Sequence, residues 1–251
     1  MQKNNLPKNY FVRVKEIGAR QNCKEFYSHY FTRHMSKFFS AALSYTNVTA
    51  NHITLSMFIF GFFGAFLFSL GSEIYYILGS ISFMLLNVAD AADGELARYT
   101  KTTSMGGDYL DRIAHYATNA VSILGMGVGL FLQFGELWIL VFAIVVEVAH
   151  TIDDSARDLL VTCGLTNENQ PRKDEKQKTQ ALKSKRFLRF GQIIGSNMAF
   201  FHLVAVFALV DLYFPMLVGI SLTLGYFLMF GLISIVKLCL RIYKIKSLYF
   251  V

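Results

Sequence analysis

Six apolar runs divide the chain, at residues 52–70, 74–98, 108–134, 137–160, 188–214 and 216–241. Each is long enough to cross the hydrocarbon layer as a helix, for which about 18 residues suffice. A soluble core has no use for so many runs of that length. The pattern predicts an all-α integral membrane protein with six transmembrane helices. The links Gly71-Ser72-Glu73, Gly135-Glu136 and the one around Pro215 are very short, whereas 161–187 is a long, polar, basic loop. Ahead of the spans, residues 1–23 read as a polar tail. Over 24–46, Phe26, Tyr30, Phe31, Met35, Phe38 and Phe39 recur at helical spacing, with Lys24, His29, Arg33 and Lys37 between them. That pattern predicts an amphipathic helix at the lipid headgroup boundary. A helix packed on the protein's own cytosolic surface is the alternative. The spans and their links form one membrane domain over 47–246.

Composition supports this reading and charge orients it. Hydrophobic residues make up 54% of the chain and charged residues only 16%, against roughly a quarter charged in soluble domains. A net charge of +7 does not point to nucleic acid, because the 24 Phe and 13 Tyr fall mostly inside apolar runs and not on a basic soluble face. Cys23, Cys163 and Cys239 have no ligand or disulfide spacing. The 24 Lys and Arg lie in the N-terminal segment, around Lys101 and Arg112, from Arg157 to Arg189, and from Lys237 onward. The opposite links carry only Glu73, Glu136 and Asp211. This asymmetry predicts that both termini and the basic links are cytoplasmic, on the inner membrane if the source is bacterial. Trp138 then falls at the outer interface.

Ionisable groups within membrane spans are costly and mark functional sites. The largest group is Asp90, Asp93, Glu95 and Arg98 on the second span with Asp108, Asp111, Arg112 and His115 on the third. Asp90 and Asp93 share a helix face, as do Asp108, Asp111 and His115 at offsets of three and four. The link at 99–107 makes the two helices neighbours, so both acidic faces enter one cavity near the cytoplasmic surface, within 86–116. Carboxylates gathered there repel one another and call for a cation. Oxygen donors suit a hard divalent ion such as Mg2+ or Mn2+, and two bridged ions can hold a pyrophosphate during attack at phosphorus. Gly94, Ala97 and Gly107 allow close approach of a ligand, and Arg98 suits a phosphate. Plainer roles compete: Asp108 as a helix cap, and Arg98 or Arg112 reaching to headgroups.

The stretch Asp90-Ala-Ala-Asp93-Gly94-Glu-Leu-Ala97-Arg98, eight residues, Gly107, three residues, Asp111 resembles the signature of the CDP-alcohol phosphatidyltransferase family. That signature reads D-x-x-D-G-x-x-A-R, eight residues, G-x-x-x-D-x-x-x-D, and every fixed position but the last agrees. The segment Asn51-His52-Ile53-Thr54-Leu55 resembles the family's T-P-N-x-x-T, with Ala50 where Pro is usual. The resemblance implies six spans, an N-terminal interfacial helix and a homodimer. It also implies that Asp90, Asp93 and Asp111 bind two divalent ions, with Asp93, Gly94, Ala97, Arg98 and Gly107 lining the site for the CDP moiety. The implied reaction is attack of an acceptor alcohol on a CDP-alcohol, with release of CMP.

His115 stands where the signature ends in Asp. In the family that residue is the favoured general base and approaches a metal. Imidazole serves as a base near neutral pH, and it is a poorer ligand for Mg2+ than for Mn2+ or Zn2+. Three readings follow: a His base, an altered second metal site, or an inactive relative with a lipid-binding role. On the fourth span, Glu147, His150, Asp154 and Arg157 share a face. They read either as an acceptor pocket, Arg157 acting with Lys185, Arg186 or Arg189, or as an internally paired network. CDP-diacylglycerol is the expected donor, since a membrane-buried site suits a lipid. A CDP-choline or CDP-ethanolamine type of transfer is the alternative. A divalent-cation transporter is a further class, which the apolar outer halves of the spans disfavour.

Overall fold

A computed structural model describes residues 7–19, 32–162, 197–214 and 221–249, all helical apart from short links and turns. Among them are eight helices: α1 (Tyr10–Ala19), α2 (Thr32–Leu43), α3 (Ala50–Ser69), α4 (Glu73–Thr100), α5 (Met105–Phe134), α6 (Leu137–Thr162), α7 (Asn197–Tyr213) and α8 (Leu222–Tyr249). The basic loop beyond Thr162, the link around Pro215 and the first part of the expected interfacial helix, with Phe26, Tyr30 and Phe31, lie outside the described residues.

Four of the helices, α3, α4, α5 and the Leu222–Tyr243 part of α8, are long and apolar enough to cross a membrane, and α7 adds a shorter apolar helix over Ala199–Tyr213. Their outward faces are apolar. On α3, Leu55, Ile59, Phe62, Phe63 and Phe66 are all exposed, at the spacing of a single helical stripe. Exposed apolar stripes on helices of this length are the reverse of a soluble bundle's polar surface and fit a multi-pass membrane protein. On α6, Val141, Ile144, Val145, Val148 and Ile152 are exposed in the same way. Its C-terminal half carries Asp153, Asp154, Arg157 and Asp158, too many charges for a uniformly apolar span.

Helix α3 packs against both α4 and α5, α7 against α4, α6 against α5, and α8 against α6 and α7. The core is aromatic: Phe83 stacks on Phe201 with ring centroids 4.2 Å apart, and Phe68 stacks on Phe83 at 5.4 Å. Close packing of α3 on α5 depends on small residues. A Cβ at Gly125 would meet the Ala65 carbonyl oxygen at 2.5 Å, and Gly129 faces the Phe68 carbonyl in the same seam. Between lipid-exposed helices such backbone contact replaces the hydrophobic driving force available in water.

Three expectations need correction. Residues 10–19 are not part of a polar tail but a helix, because Tyr10, Val14 and Ile17 recur at helical spacing and bury against Ala41 and Tyr99. The third span starts at Met105, with Ser104 as its N-cap accepting from the Gly107 amide at 3.0 Å; Asp108 therefore sits inside the first turn and is not the cap. Helices α4 and α5 follow one another across Lys101–Ser104, yet they do not pack along their length. The helix that packs against both is α3, and the two signature helices meet through side chains.

The glycine seam gives a stability test. Gly125→Ala should lower the stability of detergent-solubilised protein by about 1–3 kcal/mol, the usual cost of overpacking. Gly225 has open space within 4 Å of where a Cβ would stand, and should accept Ala without loss. Equal melting temperatures for the two variants would show that the α3–α5 seam is not close-packed.

Candidate active site

The C-terminal end of α4 carries Asp90, Asp93 and Arg98, and the start of α5 carries Asp111 and His115. His115 Nε2 lies 3.1 Å from Asp90 Oδ1 and 3.5 Å from Asp111 Oδ1. One ligand atom from each of these three residues falls within 4.8 Å of the others. That is a two-carboxylate, one-imidazole cluster spanning two helices. Its spacing admits a single small cation between the donor atoms.

Asp93 is held differently. It is 7% exposed, and its Oδ2 accepts a 2.5 Å hydrogen bond from Thr54 Oγ1, one turn into α3. The backbone amide of Thr49, at the head of the same helix, donates to His52 Nδ1 at 3.2 Å, which caps α3. The Asn-x-x-Thr segment thus reaches the signature from both ends. Thr54 grips Asp93, and Asn51 Oδ1 would lie 3.3 Å from a Cβ at Gly107. Gly94 makes room for the Arg98 guanidinium, whose Nη1 would sit 3.0 Å from a Cβ there. Arg98 itself is exposed and Ala97 half-buried.

The residues present fit a divalent cation. Asp111 Oδ1 is shielded from solvent yet makes no hydrogen bond among the described residues. An acceptor oxygen in that condition is costly unless something else satisfies it. With Asp90 and His115 beside it, a divalent cation is one partner that would satisfy it. The mixed oxygen and nitrogen donor set suits Mn2+ or Zn2+ as well as Mg2+.

On α6 the polar stripe is paired. His150 Nδ1 lies 3.4 Å from Asp154 Oδ2, and Arg157 Nη2 lies 3.3 Å from Asp154 Oδ1. Asp158 accepts from Tyr116 OH at 2.9 Å and pairs with Arg112 at 3.1 Å, tying α6 to α5. Arg112, expected to reach for headgroups, makes this bridge instead. Asp153 receives both Nε and Nη2 of Arg241, tying α6 to α8. Glu147, buried, accepts from Thr151 Oγ1 at 2.6 Å. His150 also lines a narrow cavity with Asn119, Ser122, Phe200, Phe201 and Phe230. Asn119 is one turn beyond His115 on α5, so this cavity continues the face that carries the cluster. The basic residues expected to help Arg157, namely Lys185, Arg186 and Arg189, lie outside the described residues.

The structure adds Thr54 to the site residues; its place in the family-like segment and a hydroxyl one turn inside an apolar span were the signals for it. It also overlooked the pairs Asp153–Arg241 and Asp158–Tyr116, because partners so far apart in the chain leave no local pattern.

A membrane-embedded helical bundle with a carboxylate–imidazole cluster at the ends of two signature helices defines a membrane phosphotransferase class. The chain belongs to the CDP-alcohol phosphatidyltransferase family, whose model matches residues 47–229. No curated protein matches the chain. The matched region takes in α3 to α7, the cluster and the first part of α8, and the family's chemistry is transfer of a phosphoryl-linked group from a CDP-alcohol.

Thr54→Val removes the hydrogen bond to Asp93 while keeping the side-chain volume. Asp93 is a ligand only by resemblance to the family signature; for a carboxylate that does bind metal, loss of an orienting partner typically weakens binding about 10–100-fold. Titration of Mn2+ by electron paramagnetic resonance should show a loss of that order, restored by Thr54→Ser. Unchanged Mn2+ affinity in Thr54→Val would mean that Asp93 needs no such orientation.

Proposed function

We propose that the protein is a metal-dependent transferase. It moves a substituted phosphate group from a CDP-alcohol, with CDP-diacylglycerol as the donor, to an acceptor alcohol and releases CMP. The observation that carries this reading is the convergence of Asp90, Asp111 and His115 within 4.8 Å, at signature spacing, in a chain of this family. Asp90, Asp93, Asp111 and His115 hold the divalent ions, which neutralise the donor's pyrophosphate when bound. Gly94, Ala97, Arg98 and Gly107 line the site for the CDP moiety. Arg98, exposed beside Gly94, is free to swing toward a phosphate.

The acceptor hydroxyl oxygen attacks the phosphorus that carries the lipid. The new phosphorus–oxygen bond forms as the bond to CMP breaks, and the hydroxyl proton passes to His115 Nε2 once that nitrogen is released from the ion, since one lone pair cannot serve metal and proton together. An imidazole takes up a proton near neutral pH without the help a carboxylate would need. His150, Asp154 and Arg157, beside the cavity that continues from Asn119, form the acceptor side. Arg157 is about half exposed and, among the described residues, pairs with Asp154 and Asp158, so it can exchange Asp154 for an anionic acceptor.

The surrounding architecture follows the same reading. Six spans, α3 to α8, cross the membrane, α6 included because its outer face is apolar. Both termini and the site face the cytoplasm, as the distribution of Lys and Arg supports. Helix α2 lies in the interface, with Met35, Phe38 and Phe39 exposed toward lipid and Ser36 and Ser40 turned inward. The working unit is a homodimer, as the family resemblance implies.

The test is CMP release by protein in lipid nanodiscs supplied with CDP-diacylglycerol, a panel of acceptor alcohols and either Mg2+ or Mn2+. Release should require metal and acceptor, run better with Mn2+ than with Mg2+, and fall by about a hundredfold or more in Asp111→Asn and His115→Ala. No release from CDP-diacylglycerol or CDP-choline, with metal and nucleotide still bound, would identify an inactive relative instead.

A further inference from the structure

Glu95 lies inside the signature, at a position the signature leaves open, two residues beyond Asp93. At 100° per residue it points to the opposite face of α4 from Asp93. It is 3% exposed. Its carboxylate is nonetheless well supplied with donors from α2. Ser36 Oγ donates to Oε1 at 2.7 Å, Ser40 Oγ donates to Oε2 at 2.8 Å, and Arg33 Nη1 approaches Oε1 at 3.3 Å. Arg33, Ser36 and Ser40, at offsets of three and four, share one face of α2, and both serines are fully buried. A second tie from the N-terminal helices reaches the same end of α4, where Tyr99 OH donates to Glu16 Oε2 at 3.0 Å.

The turn of α4 that carries the candidate ligands is therefore gripped from two sides. Thr54 of α3 holds Asp93 in front, and α2 holds Glu95 behind. Packing alone would not need a carboxylate here. An apolar residue would fill the space without the desolvation cost of a buried charge. What the carboxylate adds is direction. Three donors converging on two oxygens fix the rotation of α4 about its axis, and that rotation sets where Asp90 and Asp93 point. Small errors in the placement of a ligand set translate into large losses of binding and rate.

We propose that Glu95 is a positioning residue, through which α2 fixes the orientation of the Asp90–Asp93 turn toward the bound ion. This rests on the transferase reading for its consequence in turnover, but its consequence for ion binding stands apart from that reading. The donors on α2 precede residue 47, where the family match begins, so the device belongs to the chain's own N-terminal segment.

The experiment compares wild type, Glu95→Ala, Glu95→Gln and Ser36→Ala/Ser40→Ala, with Glu136→Ala on an exposed link as control. For each, three quantities are read per mole of folded protein: Mn2+ affinity by electron paramagnetic resonance, kcat for CMP release, and the melting temperature. Glu95→Ala and the double serine variant should weaken Mn2+ binding about tenfold or more and lower kcat. Glu95→Gln, which still accepts from a serine, should fall between, and Glu136→Ala should match wild type. If Glu95→Ala does not fold, the Gln and double serine variants carry the same comparison. A purely structural role would lower the melting temperature while leaving Mn2+ affinity and kcat at wild-type values, and that result overturns the proposal. Wild-type protein that binds Mn2+ but releases no CMP would remove the transferase reading, and the Mn2+ affinities would still decide the role of Glu95.

Discussion

A carboxylate inside a membrane helix has no water to turn to, and its cost must be met by a partner. Much of this fold is arranged around that constraint. Asp93 is met by Thr54, Glu95 by Arg33, Ser36 and Ser40, Asp153 by Arg241, and Asp158 by Arg112 and Tyr116. Each of these ties joins two different helices, so satisfying the acids also fixes how the helices sit. The cluster at Asp90, Asp111 and His115 is the exception. Its acids meet an imidazole, and Asp111 Oδ1 makes no hydrogen bond among the described residues. Glu147 Oε2 on α6 shares that condition, but of the two only Asp111 belongs to a described group of ligand atoms close enough together for a cation.

The glycines explain how the cluster can form at all. Helix α3 sits against both α4 and α5, and its close approach to α5 is possible because Gly125 and Gly129 present no side chain to the α3 carbonyls. With α3 seated that deeply, Thr54 reaches Asp93 and Asn51 reaches Gly107. The signature helices are then held apart by α3 along most of their length and meet through side chains at both ends, Asp90 with His115 at one and Glu73 and Tyr76 with Gln133 at the other.

Much of this was legible in the sequence because it is local. The four long apolar helices declare themselves by length, and Asp90, Asp93, Asp111 and His115 by their offsets along two helices. The features that were not legible depend on contacts across the chain. Tyr10, Val14 and Ile17 are too few apolar residues to mark a helix in a polar tail, and α1 is held through burial against Ala41 and Tyr99. In α2 the aromatics dominated the pattern, so the serines on the opposite face read as filler, although those serines make the contact with Glu95. On α6, a row of charges suggested either a pocket or a network. The pairs to Arg112, Tyr116 and Arg241 account for Asp153 and Asp158, while His150, Asp154 and Arg157 remain grouped beside the cavity.

The central claim is that one divalent ion is held jointly by α4 and α5, with His115 contributing nitrogen to an otherwise oxygen site. Pulsed electron paramagnetic resonance of Mn2+ bound to the protein in nanodiscs tests it directly. Wild type should show the nitrogen-14 coupling of a directly ligated imidazole, and His115→Asp should lose that coupling although Mn2+ still binds. Mn2+ bound at wild-type affinity with no nitrogen coupling, or a coupling that survives in His115→Asp, would contradict it.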